Sequence, residues 1–64
     1  MTKAHVEQYL INDCFATTKG KKAAINNLSR KGVVLVNGKY PVLDGKTYEI
    51  RINNSAGILE LRQI

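Results

Sequence analysis

The chain has 64 residues, 44% of them hydrophobic, and a net charge of +5; this is enough for one small domain that buries roughly 60% of its unfolded surface and leaves little for a catalytic cleft. A single cysteine, Cys14, excludes an intramolecular disulfide and a cysteine-built zinc site. No apolar run reaches the ~18 residues that span a bilayer, and the opening Met-Thr-Lys-Ala-His-Val-Glu lacks the apolar stretch of a secretory signal, so the expectation is one cytoplasmic domain over residues 1–64.

Taken in chain order, Thr2 is a fitting N-cap for a helix from Thr2 to Phe15, with Val6, Tyr9, Leu10 and Cys14 at helical spacing and Glu7 and Asp13 off that stripe. Ala16-Thr17-Thr18 reads as a break. A second helix is expected from Lys19 to Arg30, with Ala24, Ile25 and Leu28 inward and Lys31-Gly32 as its end, a cation in the last turn followed by glycine in the left-handed closing position. After Gly32 the period drops from 3.6 to 2. Val33–Val36 is a β-branched run that ends in Asn37-Gly38, a strong hairpin signal. Lys39–Leu43 returns as a second strand, with Pro41 expected at an edge or bulge because it cannot donate to a ladder. Asp44-Gly45 makes the next tight turn. Lys46–Ile52 alternates Tyr48, Ile50 and Ile52 against Thr47, Glu49 and Arg51, and Ile58–Ile64 follows a looser turn at residues 53–57. The fold class is α+β, two N-terminal helices followed by a three- to four-stranded antiparallel β-meander.

The charge is unevenly placed. Between Cys14 and Leu43 stand Lys19, Lys21, Lys22, Arg30, Lys31 and Lys39 with no acid, whereas the rest of the chain carries a net −1. Three of those lysines, in Thr17-Thr18-Lys19-Gly20-Lys21-Lys22, fall at a helix start, where the dipole is already positive and amides are unpaired. An optimised first turn would carry Asp or Glu there; with Thr18 as the cap, Lys21 occupies the position that a capping box gives to Glu. A bound anion would relieve this repulsion; a solvated lysine cluster is the plain alternative. Arg30 and Lys31 extend the cationic line to the helix end, where helix capping also accounts for them. Lys39 follows the hairpin turn, and Tyr40 beside it is either a stacking residue for an unpaired base or a core-edge residue.

Catalytic readings are poorly served. Lys21-Lys22 is not a nucleotide-binding P-loop, because Phe15 stands where its first glycine belongs and Lys22 where Ser or Thr would meet magnesium. His5, the one histidine, sits at a solvated helix start without a positioned partner, and Cys14 lies on an apolar stripe. No catalytic residues, metal or cofactor are expected, and the protein reads as a binding module rather than an enzyme.

The run KKAAINNLSRKGVVLVNG, Lys21 to Gly38, resembles the core of the RNA-binding domain named after ribosomal protein S four: a basic helix, a glycine, and a short β run ending in Val-Asn-Gly. Arg30-Lys31-Gly32 with Val34, Val36, Asn37 and Gly38 carries most of the likeness. The resemblance implies an RNA-binding face made by the second helix and the loop before it, with Lys21, Lys22, Arg30 and Lys31 on the phosphate backbone. The first helix departs from the family, reading His5-Val6-Glu7 where the family has Arg-Leu-Asp, the segment from Thr18 to Asn37 is longer than usual, and the stretch after Gly38 is shorter.

The leading expectation is therefore a small basic nucleic-acid-binding protein that contacts phosphates through Lys19, Lys21, Lys22, Arg30, Lys31 and Lys39, with Tyr40 beside them and RNA ahead of DNA. A winged-helix-like variant would place Lys21 to Arg30 in a DNA major groove. The alternative is a protein-interaction module, such as a small phage- or mobile-element-type inhibitor or adaptor, that docks on an acidic protein surface with Lys39–Leu43 or Ile58–Ile64 as its free edge. Self-association to a homodimer through such edges is a third expectation.

Overall fold

Two threonines set where the helices begin. In the computed structural model, which describes residues 1–64, Thr2 has an extended backbone and its Oγ1 accepts the His5 N–H at 3.2 Å, starting α1, Lys3–Asp13. Thr17 does the same for α2, Thr18–Arg30, accepting the Gly20 N–H at 2.9 Å. The second cap is thus Thr17 and not Thr18, and the position three residues into the helix belongs to Gly20 and not Lys21. Gly20 is required there. A Cβ on it would overlap the carbonyl oxygen of Phe15 and lie 2.9 Å from its carbonyl carbon, so the chain entering the cap crosses directly against the first turn. Helix α1 stops at Asp13, earlier than its apolar stripe predicts, because Cys14 turns to an extended backbone to make that crossing.

Helix α2 ends as its sequence predicts. Gly32 has φ +89°, its N–H bonds the Ser29 carbonyl at 3.0 Å, and the Val33 N–H bonds the Leu28 carbonyl at 3.0 Å, the paired bonds of a Schellman stop. Val33 packs on the core beside Leu28 as part of that stop, which is why the first strand is shorter than the β-branched run: β1 is Leu35–Val36.

Strand β1 is followed by β2 (Tyr40–Leu43), β3 (Lys46–Asn53) and β4 (Ile58–Gln63), all antiparallel in the order β1-β2-β3-β4. Leu43 pairs with Lys46 across Asp44 (φ +53°) and Gly45 (φ +76°), a two-residue hairpin. The first hairpin differs from expectation. Asn37 and Gly38 both have positive φ, but the register sets Val36 opposite Tyr40, leaving Lys39 outside the ladder as an extra loop residue. Strand β2 is also interior, so Lys39–Leu43 is not the free edge it was expected to be; β1 and β4 are the outer strands.

Pro41 explains how an interior strand tolerates proline. The Val42 N–H bonds the Val34 carbonyl at 2.9 Å, so even-numbered residues of β2 bond toward β1 and the missing N–H of Pro41 faces β3. Pairing of β2 with β3 is confined to Val42↔Thr47 and Leu43↔Lys46. Beyond Val42, toward Tyr40, the β1–β2 hairpin parts from β3.

The core joins Val6 and Leu10 of α1, Ala24 and Leu28 of α2, and Leu43, Tyr48, Ile50 and Leu59 of the sheet. Helix α1 lies against β4 and α2 against β3. The other face of β3–β4 is a charge ladder in which Arg51 meets Glu60 at 3.3 Å and Arg62 meets Glu49 at 3.8 Å. At the far end of the helices Asn27 donates to the Tyr9 hydroxyl at 2.8 Å, and the Lys31 ammonium lies 4.0 Å from the centre of the Tyr9 ring.

Candidate functional site

Helical geometry divides α2 into three faces. Ala24 and Leu28 point into the core, while Lys19, Lys22, Ala23, Asn26, Ser29 and Arg30 are exposed on the outside. Overlapping the outer face at Lys22 and Asn26 runs the stripe Thr18, Lys21, Lys22, Ile25 and Asn26, whose spacing of three and four residues keeps it on one side of the helix. This stripe forms one wall of a cleft of about 470 Å³, and Gly38, Lys39 and Tyr40 of the hairpin form the other, with Glu49 and Ile50 of β3 at its base.

The cleft follows from the local chemistry. The Schellman stop at Gly32 sends the chain back along α2, the Asn37-Gly38 turn brings Lys39 opposite the N-terminal half of the helix, and Pro41 keeps β2 from closing on β3. Lys39 projects from the loop because the register leaves it out of the ladder, and its ammonium lies 5.1 Å from the centre of the Tyr40 ring. The buried positions of β2 are Pro41 and Leu43, so Tyr40 belongs to the opposite face and reaches the cleft at its half-buried rim.

Of the sequence-predicted residues, Lys21, Lys22, Lys39 and Tyr40 come together here. Lys19 does not: it lies in a second hollow with Phe15, Thr17, Gly20 and Ala23, next to Lys22 around the helix. Arg30 continues the exposed face toward the C-terminus, and Lys31 turns away onto Tyr9. The six central cations therefore do not form a single cluster, though none of them makes an ion pair. Of the five acids, Asp13 on α1 is unpaired and the other four are engaged. Glu7 pairs with Lys3 at 3.5 Å, Asp44 accepts the Lys3 N–H at 3.3 Å, and Glu60 is held by Arg51. Glu49, the one acid at the cleft, is matched by Arg62.

Thr18, Ile25, Asn26 and Glu49 line the cleft without having been expected there. The recurrence of Thr18, Lys21, Lys22, Ile25 and Asn26 at helical spacing marks the first three; Glu49 is reached only through the parting of β2 from β3, which no local pattern in β3 announces.

The cleft can hold an anion between ammonium groups on two elements. His5 and Cys14 lie outside it: His5 contacts its own cap residue, with Thr2 Oγ1 3.4 Å from His5 Nδ1, and half-buried Cys14 packs on the core. No group of three or more metal-ligating side chains is gathered, and no helix is long and apolar enough to cross a membrane. No family model, curated protein or solved structure matches the chain.

Proposed function

We propose that the protein binds nucleic acid through its phosphate backbone, RNA ahead of DNA, with Lys21, Lys22 and Lys39 as the central contacts and Lys19 and Arg30 extending the track along the outside of α2. The observation that carries this reading is the cleft itself. Three lysines from two separate elements converge with no carboxylate partner, and the nearby Glu49 is already matched by Arg62. Like charges brought together in this way destabilise the free protein, and a polyanion relieves them while releasing its own counterions. The likeness of Lys21 to Gly38 to the S-four-type RNA-binding domain favours RNA and the same helix face. The protein acts as a binding module, without catalysis.

The Lys21→Ala, Lys22→Ala double variant tests this. Affinity should fall for every sequence offered, and the slope of log K against log salt should shrink by about one for each phosphate that is no longer neutralised. Unchanged affinity and slope contradict the reading.

A second reading, docking on an acidic protein surface, draws on the outer strand β1, where Val36 and, just before the strand, Val34 are 41% and 67% exposed beside an open sheet edge. In that case the charge-neutral Val34→Thr, Val36→Thr double variant weakens capture of the partner and leaves RNA affinity unchanged.

A further inference from the structure

The chain has four aromatic residues, and the structure uses three of them. Tyr48 is in the core, Tyr9 is held by Asn27 and Lys31, and Tyr40 is half-buried at the cleft rim. The fourth, Phe15, is the sole phenylalanine and stands 80% exposed. A lone exposed hydrophobe is ordinary. Two features set Phe15 apart. Its backbone is pinned: the Phe15 carbonyl crosses against Gly20 so closely that no side chain fits there, and the next turn is closed by Thr17, whose Oγ1 and carbonyl accept the Gly20 and Lys21 N–H groups at 2.9 and 2.8 Å. It also shares a hollow with the unpaired cation Lys19, and Lys19 and Ala23 adjoin Lys22 and Asn26 of the main cleft around α2.

We propose that Phe15 is a stacking platform for an unpaired base of a single-stranded nucleic acid that leaves the lysine cleft and crosses the outside of α2 past Lys22 and Lys19. This rests on the nucleic-acid reading above and narrows it to single strands. The two hollows are centred about 140° apart around the helix, on the order of 12 Å along its surface. A flexible strand can bend over that distance, whereas a duplex keeps its bases stacked internally and has no free face to offer Phe15. Lys19 supplies the phosphate contact beside the stacked base, and the aromatic face accepts any base.

The chain has no tryptophan, so Phe15→Trp gives a single fluorescent reporter, and Phe15→Ala, at an exposed position, leaves the core intact. Oligouridine and an RNA duplex of equal length serve as probes, with a thermal melt to establish that both variants fold. The expected result is about tenfold weaker oligouridine binding by Phe15→Ala with an unchanged salt slope, unchanged duplex binding, and quenching of the Phe15→Trp emission by oligouridine alone. If wild type and Phe15→Ala bind oligouridine equally, or if the Trp emission does not respond, the platform is overturned while the phosphate reading stands. If neither RNA binds the wild type at low salt, both fall. Loss of self-association in Phe15→Ala with RNA affinity intact assigns the residue to a protein contact and likewise overturns the proposal.

Discussion

Single residues decide more of this structure than their size suggests. Gly20 owes its place to the carbonyl of Phe15 and not to helix propensity, since alanine is the better helix former. Gly20→Ala should therefore destabilise the protein, by about 1–3 kcal/mol for forcing an overpacked contact, as read from urea denaturation; a gain in stability would refute the crossing. Tyr9 gives a pH signature. Its phenol is raised above the ordinary tyrosine value, first because burial disfavours the phenolate, with the Cys14 hydrogen bond and the charges of Cys14 and Asp13 adding to the rise and the Asn27 hydrogen bond opposing it. The native state then holds a proton that the unfolded chain releases above pH ~10, so the Tyr9 contribution to stability is present below that pH and lost as pH rises. Phe has no such proton. Tyr9→Phe should lose about 1 kcal/mol with the Asn27 bond at neutral pH, yet show a shallower decline than wild type between pH 9 and 11.

At the scale of elements, both helices, the meander and two glycine-bearing hairpins can be read from the sequence, because each is written in local terms: the threonine caps, the stripe Val6-Tyr9-Leu10-Cys14, the Lys31-Gly32 stop, and the alternation of Tyr48 and Ile50. What could not be read depends on contacts between elements. Val33 looks like strand and is helix stop. Pro41 looks like an edge marker and sits in an interior strand, because only its β3-facing side lacks a partner. Thr17 and Thr18 are equivalent as caps in sequence, and the choice between them is made by Phe15 crossing Gly20. The cleft was half legible: Lys21, Lys22, Lys39 and Tyr40 were expected together, whereas Lys19 was drawn to the Phe15 hollow and Lys31 to Tyr9, neither of which leaves a mark in charge patterning. Thr17→Ala removes the cap of α2 and should cost about 1 kcal/mol. It should also weaken nucleic-acid binding, because the frayed first turn carries Lys19 and Lys21 and leads directly into Lys22; a variant that is destabilised and binds as wild type would separate the helix start from the site.

For the whole molecule, the relevant fact is which charges are spent. The β3–β4 face neutralises itself through Arg51–Glu60 and Arg62–Glu49, and although exposed pairs of this kind stabilise the fold little, they leave the helix side with the unbalanced cations. A protein measuring 28 × 19 × 19 Å thus carries its unpaired cations Lys19, Lys21, Lys22 and Arg30 on α2 and Lys39 on the hairpin, apart from the matched pairs of β3–β4. Under the proposed function this asymmetry would orient a polyanion before contact. Removing Glu60 should change RNA affinity far less than removing Lys21 and Lys22. The most direct test is fluorescence anisotropy with single-stranded RNA, duplex RNA and duplex DNA across a series of salt concentrations. The expected result is binding that weakens steeply with salt and is tightest for single-stranded RNA; the absence of binding to all three at low salt would contradict it.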